Sequence, residues 1–227
     1  MDRAFAPSRR PDMQTTRAVT PERRSLRLGI DLDGVVADFN RGWMRRYNAQ
    51  FCARLEPGLV AAWGDLHTHT HFPDARAFWR WASGIGNGAG DDGSGGACLG
   101  TRPSIFRDLP PYPGALDALR ELDRAGHRVV ILSHKPDWAV HDTLAWLAEH
   151  RVPTREVHLI AEKASIPCDI YLDDADHNLA AIRRARPQAV VCRYVRPWNQ
   201  ADAGLVDIRS WSDFLTFVRR PTPGEGP

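Results

Sequence analysis

Apolar residues along this chain change their spacing from segment to segment, and the spacing predicts the element. Phe39, Trp43, Tyr47, Phe51 and Leu55 recur every four residues, which predicts one face of an amphipathic helix stopped by Pro57-Gly58. Before it, residues 26–30 form a short apolar run leading straight into Asp31, a strand signal. A second short helix starts near Pro73-Asp74 and carries Phe78, Trp79 and Trp81. The pattern then becomes regular. A helix over residues 114–125 turns Leu116, Leu119 and Leu122 inward and stops at Gly126. Residues 129–132 read as a strand, followed by a helix with Trp138, Leu144 and Leu147 and by strands at 157–160 and 170–172. A helix with Leu179 and Ile182 ends before Pro187, and residues 189–192 are the next buried strand. The last helix begins at Ser210, with Asp213 as a capping-box-like partner and Phe214, Leu215, Phe217 and Val218 on its apolar side.

Strands alternating with helices predict an α/β fold, a Rossmann-like parallel sheet with helices on both faces. Residues 40–105 interrupt the alternation and read as a small helical cap inserted after the first strand, leaving residues 26–39 and 106–220 as the core. Residues 1–25 and 221–227 lack apolar periodicity and are expected to be flexible. Residues 83–100 are rich in glycine and include G-x-G-x-x-G at Gly88, Gly90 and Gly93. Neither a strand before it nor a helix after it is predicted, and Asp91-Asp92 would repel a phosphate, so the segment reads as a linker.

Composition narrows the class. The 227 residues are 43% hydrophobic and 26% charged, which suits a globular domain with a sizeable core and argues against global disorder. No run approaches the roughly 18 apolar residues of a membrane span, so no membrane partner is expected. The first residues carry arginines without an apolar stretch of signal-peptide length, and Cys52, Cys98, Cys168 and Cys192 form no C-x-x-C pair. Together these predict reduced thiols in the cytoplasm. Residues 1–27 hold seven arginines against three acids, whereas the whole chain is only +2. The remaining 200 residues are therefore slightly acidic, and no nucleic-acid partner is expected. Lysine occurs twice, as Lys135 and Lys163, in a chain that otherwise uses arginine.

Ligands of open α/β sheets bind beyond the carboxyl ends of the strands. Those ends bring Asp31 and Asp33, then Ser133, then Lys163 shortly after its strand, then Asp173 and Asp174. Two carboxylates two residues apart suit a nucleophile and an acid/base, and a second carboxylate pair completes a Mg²⁺ site. A hydroxyl and an ammonium hold and neutralise a phosphoryl group.

Gly29-Ile30-Asp31-Leu32-Asp33-Gly34-Val35-Val36 resembles the first motif of the haloacid-dehalogenase-type phosphatases, and Ser133, Lys163 and Asp173-Asp174 resemble their second, third and fourth. Within that superfamily the chain is similar to the 5'(3')-deoxyribonucleotidase family over about residues 26–218. Residues 105–115 resemble that family's passage from cap to core, and Glu162-Lys163-Ala164 followed by residues 168–174 keeps its lysine-to-aspartate spacing. Arg196-Pro197-Trp198-Asn199 and Ser210-Trp211 add shorter matches. His134-Lys135 departs from the small or apolar residues expected after Ser133, and the glycine loop lengthens the cap.

The resemblance implies a Mg²⁺-dependent phosphomonoesterase acting through an aspartyl-phosphate on nucleoside (deoxy)5'-monophosphates. Asp31 would be the nucleophile and Asp33 the acid/base, with Ser133 and Lys163 on the phosphoryl group. Mg²⁺ would be held by the Asp31 carboxylate, the Asp33 backbone carbonyl and one of Asp173 or Asp174. His134 and Lys135 are expected at the substrate entrance, and Trp43 is the cap aromatic expected nearest the site. Another small phosphorylated metabolite is the alternative substrate, and a homodimer is a compatible assembly. Residues 65–71 also resemble the opening motif of polymerase-and-histidinol-phosphatase-type metal phosphoesterases, with His67, His69 and His71 sharing one face of an extended segment. A non-catalytic nucleotide-binding module is the third reading.

Overall fold

The computed structural model describes residues 24–85 and 102–220. Residues 1–23, the loop glycines 88, 90 and 93, and residues 221–227 lie outside the described residues, and so do the expectations made for them.

The elements follow the alternation expected. Strand β1 (Arg27–Ile30) is followed by α1 (Phe39–Phe51), 3₁₀ turns at Pro57–Leu59 and Trp63–His69, α2 (Ala75–Ser83) and a 3₁₀ turn at Ile105–Arg107. Then come α3 (Ala115–Arg124), β2 (Arg128–Ser133), α4 (Asp137–Glu149), β3 (Glu156–Leu159), a 3₁₀ turn at Lys163–Ser165 and β4 (Ile170–Asp173). The chain closes with α5 (Asp176–Ala185), β5 (Val190–Tyr194), β6 (Val206–Ile208) and α6 (Trp211–Val218). The six strands are all parallel, in the order β3-β2-β1-β4-β5-β6.

Alternation along the strands divides the core into two layers. Leu28, Ile30, Val129, Ile131 and Leu172 pack with Leu119 and Leu122 of α3 and Trp211 and Phe214 of α6. Val130, Leu132, Tyr171 and Val191 face the other way, onto Leu179 and Ile182 of α5. Both faces of the sheet are thus covered, as a buried parallel sheet requires. The indole N–H groups of the buried tryptophans are satisfied. Trp146 donates to the Leu109 carbonyl at 2.7 Å and Trp211 to the Val35 carbonyl at 3.2 Å.

Several expectations change in detail. Helix α1 ends at Phe51, with Cys52 left-handed (φ 52°), instead of running to Leu55. The cause is local: the Asn48 side chain donates to the Leu55 carbonyl and accepts from the Leu55 N–H, both at 2.9 Å, bracing the chain as it leaves the helix. Helix α4 carries Leu144 exposed and buries Ala139, Thr143, Trp146 and Leu147, which share one face at helical spacing. Strand β6 was not predicted, because three residues are too few to show a period. Residues 63–69 form a 3₁₀ turn with no extended segment to align the histidines, and the His71 ring pairs with the Tyr47 hydroxyl at 2.8 Å. The histidine-metal alternative therefore lacks its geometry. Among the described residues, no helix is long and apolar enough to cross a membrane.

Candidate active site

The order of the strands decides where the chemistry gathers. Strand β1 lies between β2 and β4, with the reversal of strand order beside it, and its N–H to C=O ladder continues upward as Asp31 N–H donates to the Leu172 carbonyl at 3.0 Å. Asp31 leaves the end of β1, Asp173 and Asp174 that of β4, and Ser133 that of β2. Such a switch point opens a crevice beyond the strand ends.

Within it, one carboxylate oxygen each from Asp31, Asp173 and Asp174 lies within 4.8 Å of the others, and all three residues are buried. Lys163, on its 3₁₀ turn, reaches back so that Nζ stands 2.9 Å from Asp31 Oδ2 and 2.6 Å from Asp173 Oδ2. Asp33 lies apart from that trio and is ion-paired with Lys135, whose Nζ also donates to Ser133 Oγ at 3.0 Å. The expected residues Asp31, Asp33, Ser133, Lys163, Asp173 and Asp174 are therefore brought together.

Three expectations about substrate contacts fare differently. His134 is exposed. Lys135 is not at the entrance: its side chain is buried and turned onto Asp33. Trp43 is fully buried, packed edge-on to Phe78 with ring centres 5.4 Å apart and donating to Asn40 Oδ1 at 3.1 Å. It is a core residue, because its place on α1 faces inward with Phe39 and Tyr47.

The turn that follows Asp33 is held by residues to which the sequence had assigned no role. Gly34 has φ +77°, and a Cβ there would lie 2.1 Å from Asp174 Oδ2. Its carbonyl accepts from Arg196 Nε at 2.6 Å, and the Arg196 guanidinium is sandwiched 3.7 and 4.1 Å from the Tyr112 and Tyr194 ring centres. Trp198 Nε1 donates to Asp174 Oδ2 at 2.7 Å, Asn199 to the Asp174 carbonyl at 2.8 Å, and Asn178 to Asp173 Oδ1 at 3.2 Å. Applying the strand-end rule to β5 as well would have pointed to residues 196–199.

Burial is the largest influence on Asp31, Asp33 and Asp174 and raises each of them. For Asp31 the Lys163 ammonium pulls back and the neighbouring Asp173 pushes up. For Asp33 it is Lys135 that pulls back. Asp174 is pushed well above the usual carboxylate range, by burial and then by the charges of Asp31 and Asp173. Burial disfavours the charge on Lys163, yet Asp173 and Asp31 outweigh it and hold the ammonium above its ordinary value. The site sets four carboxyl groups against two ammonium groups. That surplus, with an all-oxygen donor set on rigid strand ends, fits a hard divalent cation such as Mg²⁺.

Comparison with known proteins agrees. A model of the family described as "5' nucleotidase, deoxy (Pyrimidine), cytosolic type C protein" matches residues 99–220, more than half of the chain. The chain belongs to this family. It is accordingly an enzyme of the phosphoric monoester hydrolase class. Among its relatives, a Chlorobaculum tepidum protein that carries the 5'(3')-deoxyribonucleotidase name provisionally is 28% identical over 88% of this chain and 93% of its own. The human 5'(3')-deoxyribonucleotidase of cytosolic type is 29% identical over 67% and 72%. A Bacillus subtilis haloacid-dehalogenase-type hydrolase, solved bound to magnesium, superposes on 87% of this chain and all of its own with a TM-score of 0.54 at 12% identity, a likeness of fold.

Proposed function

We propose that this deoxyribonucleotidase-family chain hydrolyses nucleoside 5'-monophosphates, deoxy forms among them, to nucleoside and inorganic phosphate. The observation that carries the reading is the buried cluster of Asp31, Asp173 and Asp174, with Lys163 bridging Asp31 to Asp173. Asp31, Asp173 or Asp174, and the backbone carbonyl of Asp33 would hold Mg²⁺. The bound ion would supply charge neutralisation between the nucleophile and the phosphoryl oxygens.

In this mechanism an Asp31 carboxylate oxygen bonds to phosphorus while the bond from phosphorus to the nucleoside oxygen breaks, leaving an aspartyl-phosphate. Asp33 gives its proton to the departing oxygen, then takes one from the water that cleaves the aspartyl-phosphate. Burial favours the protonated form of Asp33, which is the form the first step needs. Lys163 and the Ser133 hydroxyl bind phosphoryl oxygens. A non-catalytic module has no use for so costly a set of buried charges.

The substrate assignment rests on aromatic surface. With Trp43 buried, half-buried Trp79 of α2 and Trp138 of α4, whose rings lie 6.3 Å apart, are the residues that offer stacking area between the segment 40–105, acting as cap, and the core. Base–aromatic stacking contributes roughly 1–3 kcal/mol, or about 5- to 150-fold. The cytosolic name of the human relative supports placing the reaction in the cytoplasm.

One phosphate-release assay tests this. Wild type with Mg²⁺ should turn over nucleoside monophosphates with kcat/KM at least about 5-fold above ribose 5-phosphate. EDTA and Asp31→Asn should each abolish turnover, the variant remaining folded. Equal activity on ribose 5-phosphate refutes the nucleotide assignment and favours another small phosphorylated metabolite; activity persisting in EDTA refutes the mechanism.

A further inference from the structure

Lys135 is the feature that neither the family nor the mechanism above accounts for. Its side chain is only 1% exposed, so it has almost no surface to offer a substrate. An ammonium has three hydrogens to donate. One goes to Asp33 Oδ2 and one to Ser133 Oγ at 3.0 Å, and Nζ lies 4.7 Å from the ring centre of Phe106, whose face takes the remaining charge. Leu32, Ala37, Leu109, Thr143 and Trp146 line the rest of the small cavity around it. Nothing is left over for a phosphate.

We propose that Lys135 is a positioning residue for the leaving-group step, which it serves by fixing the Asp33 carboxyl and orienting the Ser133 hydroxyl without touching substrate. The proposal rests on the phosphatase reading above. Two geometric consequences support it. With Asp33 Oδ2 anchored by Lys135, Oδ1 is buried and has no hydrogen-bond partner among the described residues, so no protein group competes for the proton it would exchange with the departing oxygen. Because Ser133 Oγ accepts from Lys135, its own hydrogen is free to donate to a phosphoryl oxygen. One lysine thus sets the direction of both an acid and a donor, as a support shell must if the reacting groups are to be held within a fraction of an ångström.

The proton ledger makes the idea testable. As the phosphorus–oxygen bond of the ester breaks, the nucleoside oxygen gains the Asp33 proton; as water replaces Asp31 on phosphorus, Asp33 regains one. A nucleoside alkoxide is a strong base and needs that proton to leave, whereas p-nitrophenolate is a weak base and leaves without it. In a single turnover Lys135→Met should therefore lower the rate of nucleoside release from a deoxynucleoside 5'-monophosphate by about 100-fold or more, and that of p-nitrophenol release from p-nitrophenyl phosphate by at least about 10-fold less than that, the loss common to both coming from the misdirected Ser133 hydroxyl. A loss of equal size on both substrates means a merely structural role and overturns the proposal. A raised KM at unchanged kcat means direct substrate contact and overturns it too. Where Lys135→Met does not fold, Lys135→Arg decides, because its broader fork cannot reproduce both contacts of a compact ammonium. The ratio between the two substrates should again fall, and an unchanged ratio refutes the proposal. Wild type inert on both compounds would instead remove the phosphatase reading, and the proposal with it.

Discussion

Gly34 shows how one backbone position disciplines the site. Its φ of +77° and the 2.1 Å that would separate a Cβ from Asp174 Oδ2 leave room for no side chain. Gly34→Ala should cost about 1–3 kcal/mol of stability through backbone strain and crowding. It should also weaken Mg²⁺ binding about 10- to 100-fold by displacing Asp174, the range seen when groups supporting metal ligands are disturbed. A urea titration and a magnesium titration calorimetry experiment read the two effects separately. Wild-type Mg²⁺ affinity in the variant would show that Asp174 does not need this turn. Trp43 makes the complementary point: an aromatic residue close in sequence to Asp33 proved to be packing material, because its helix phase directs it at Phe78.

At the scale of elements, the segment after β5 matters more than its irregular conformation suggests. Arg196 ties that segment to the turn after β1 across the mouth of the sheet, through the Gly34 carbonyl and the faces of Tyr112 and Tyr194. A charged hydrogen bond and a partly desolvated cation–π pair each contribute about 1–2 kcal/mol. Arg196→Ala should therefore lower stability by about 2 kcal/mol, and Arg196→Lys should recover only a small part, since an ammonium cannot stack between two rings while donating sideways. Denaturant midpoints of the three proteins measure this. Full recovery by lysine would mean that charge alone is what matters.

For the molecule as a whole, the strand order gathers four acids where only two ammonium groups answer them. Asp174, Asp31 and Asp33 all have raised values, so the metal-free fold binds more protons than the unfolded chain above the ordinary carboxylate range. Their contribution to stability therefore falls as pH rises through the raised values. A divalent cation needs the ionised forms and displaces those protons, so its affinity must rise with pH. The increase in Tm produced by a fixed Mg²⁺ concentration should grow as pH rises above the ordinary carboxylate range. Taking the difference with and without the ion cancels His150, which burial lowers and which therefore adds stability as pH rises. An increment independent of pH would refute proton-linked binding at this cluster.

Much of this was legible in the sequence because it depends on short-range order. Short apolar runs and period-3.6 patterns named β1, β2, β3, β4, β5 and the core helices, and polar residues following apolar runs named Asp31, Asp33, Ser133, Asp173 and Asp174. Lys163 could be read too, since a lysine just beyond a strand end needs only its own length to reach the carboxylates. Tertiary structure decided whatever depends on direction or on distant partners. It turned Lys135 inward onto Asp33, some hundred residues earlier in the chain, and sealed Trp43 against Phe78. It also brought Arg196, Trp198 and Asn199 back over the β1 turn. A residue's spacing fixes which face of its element it occupies, but which neighbour that face meets is set only when the strands are ordered and packed.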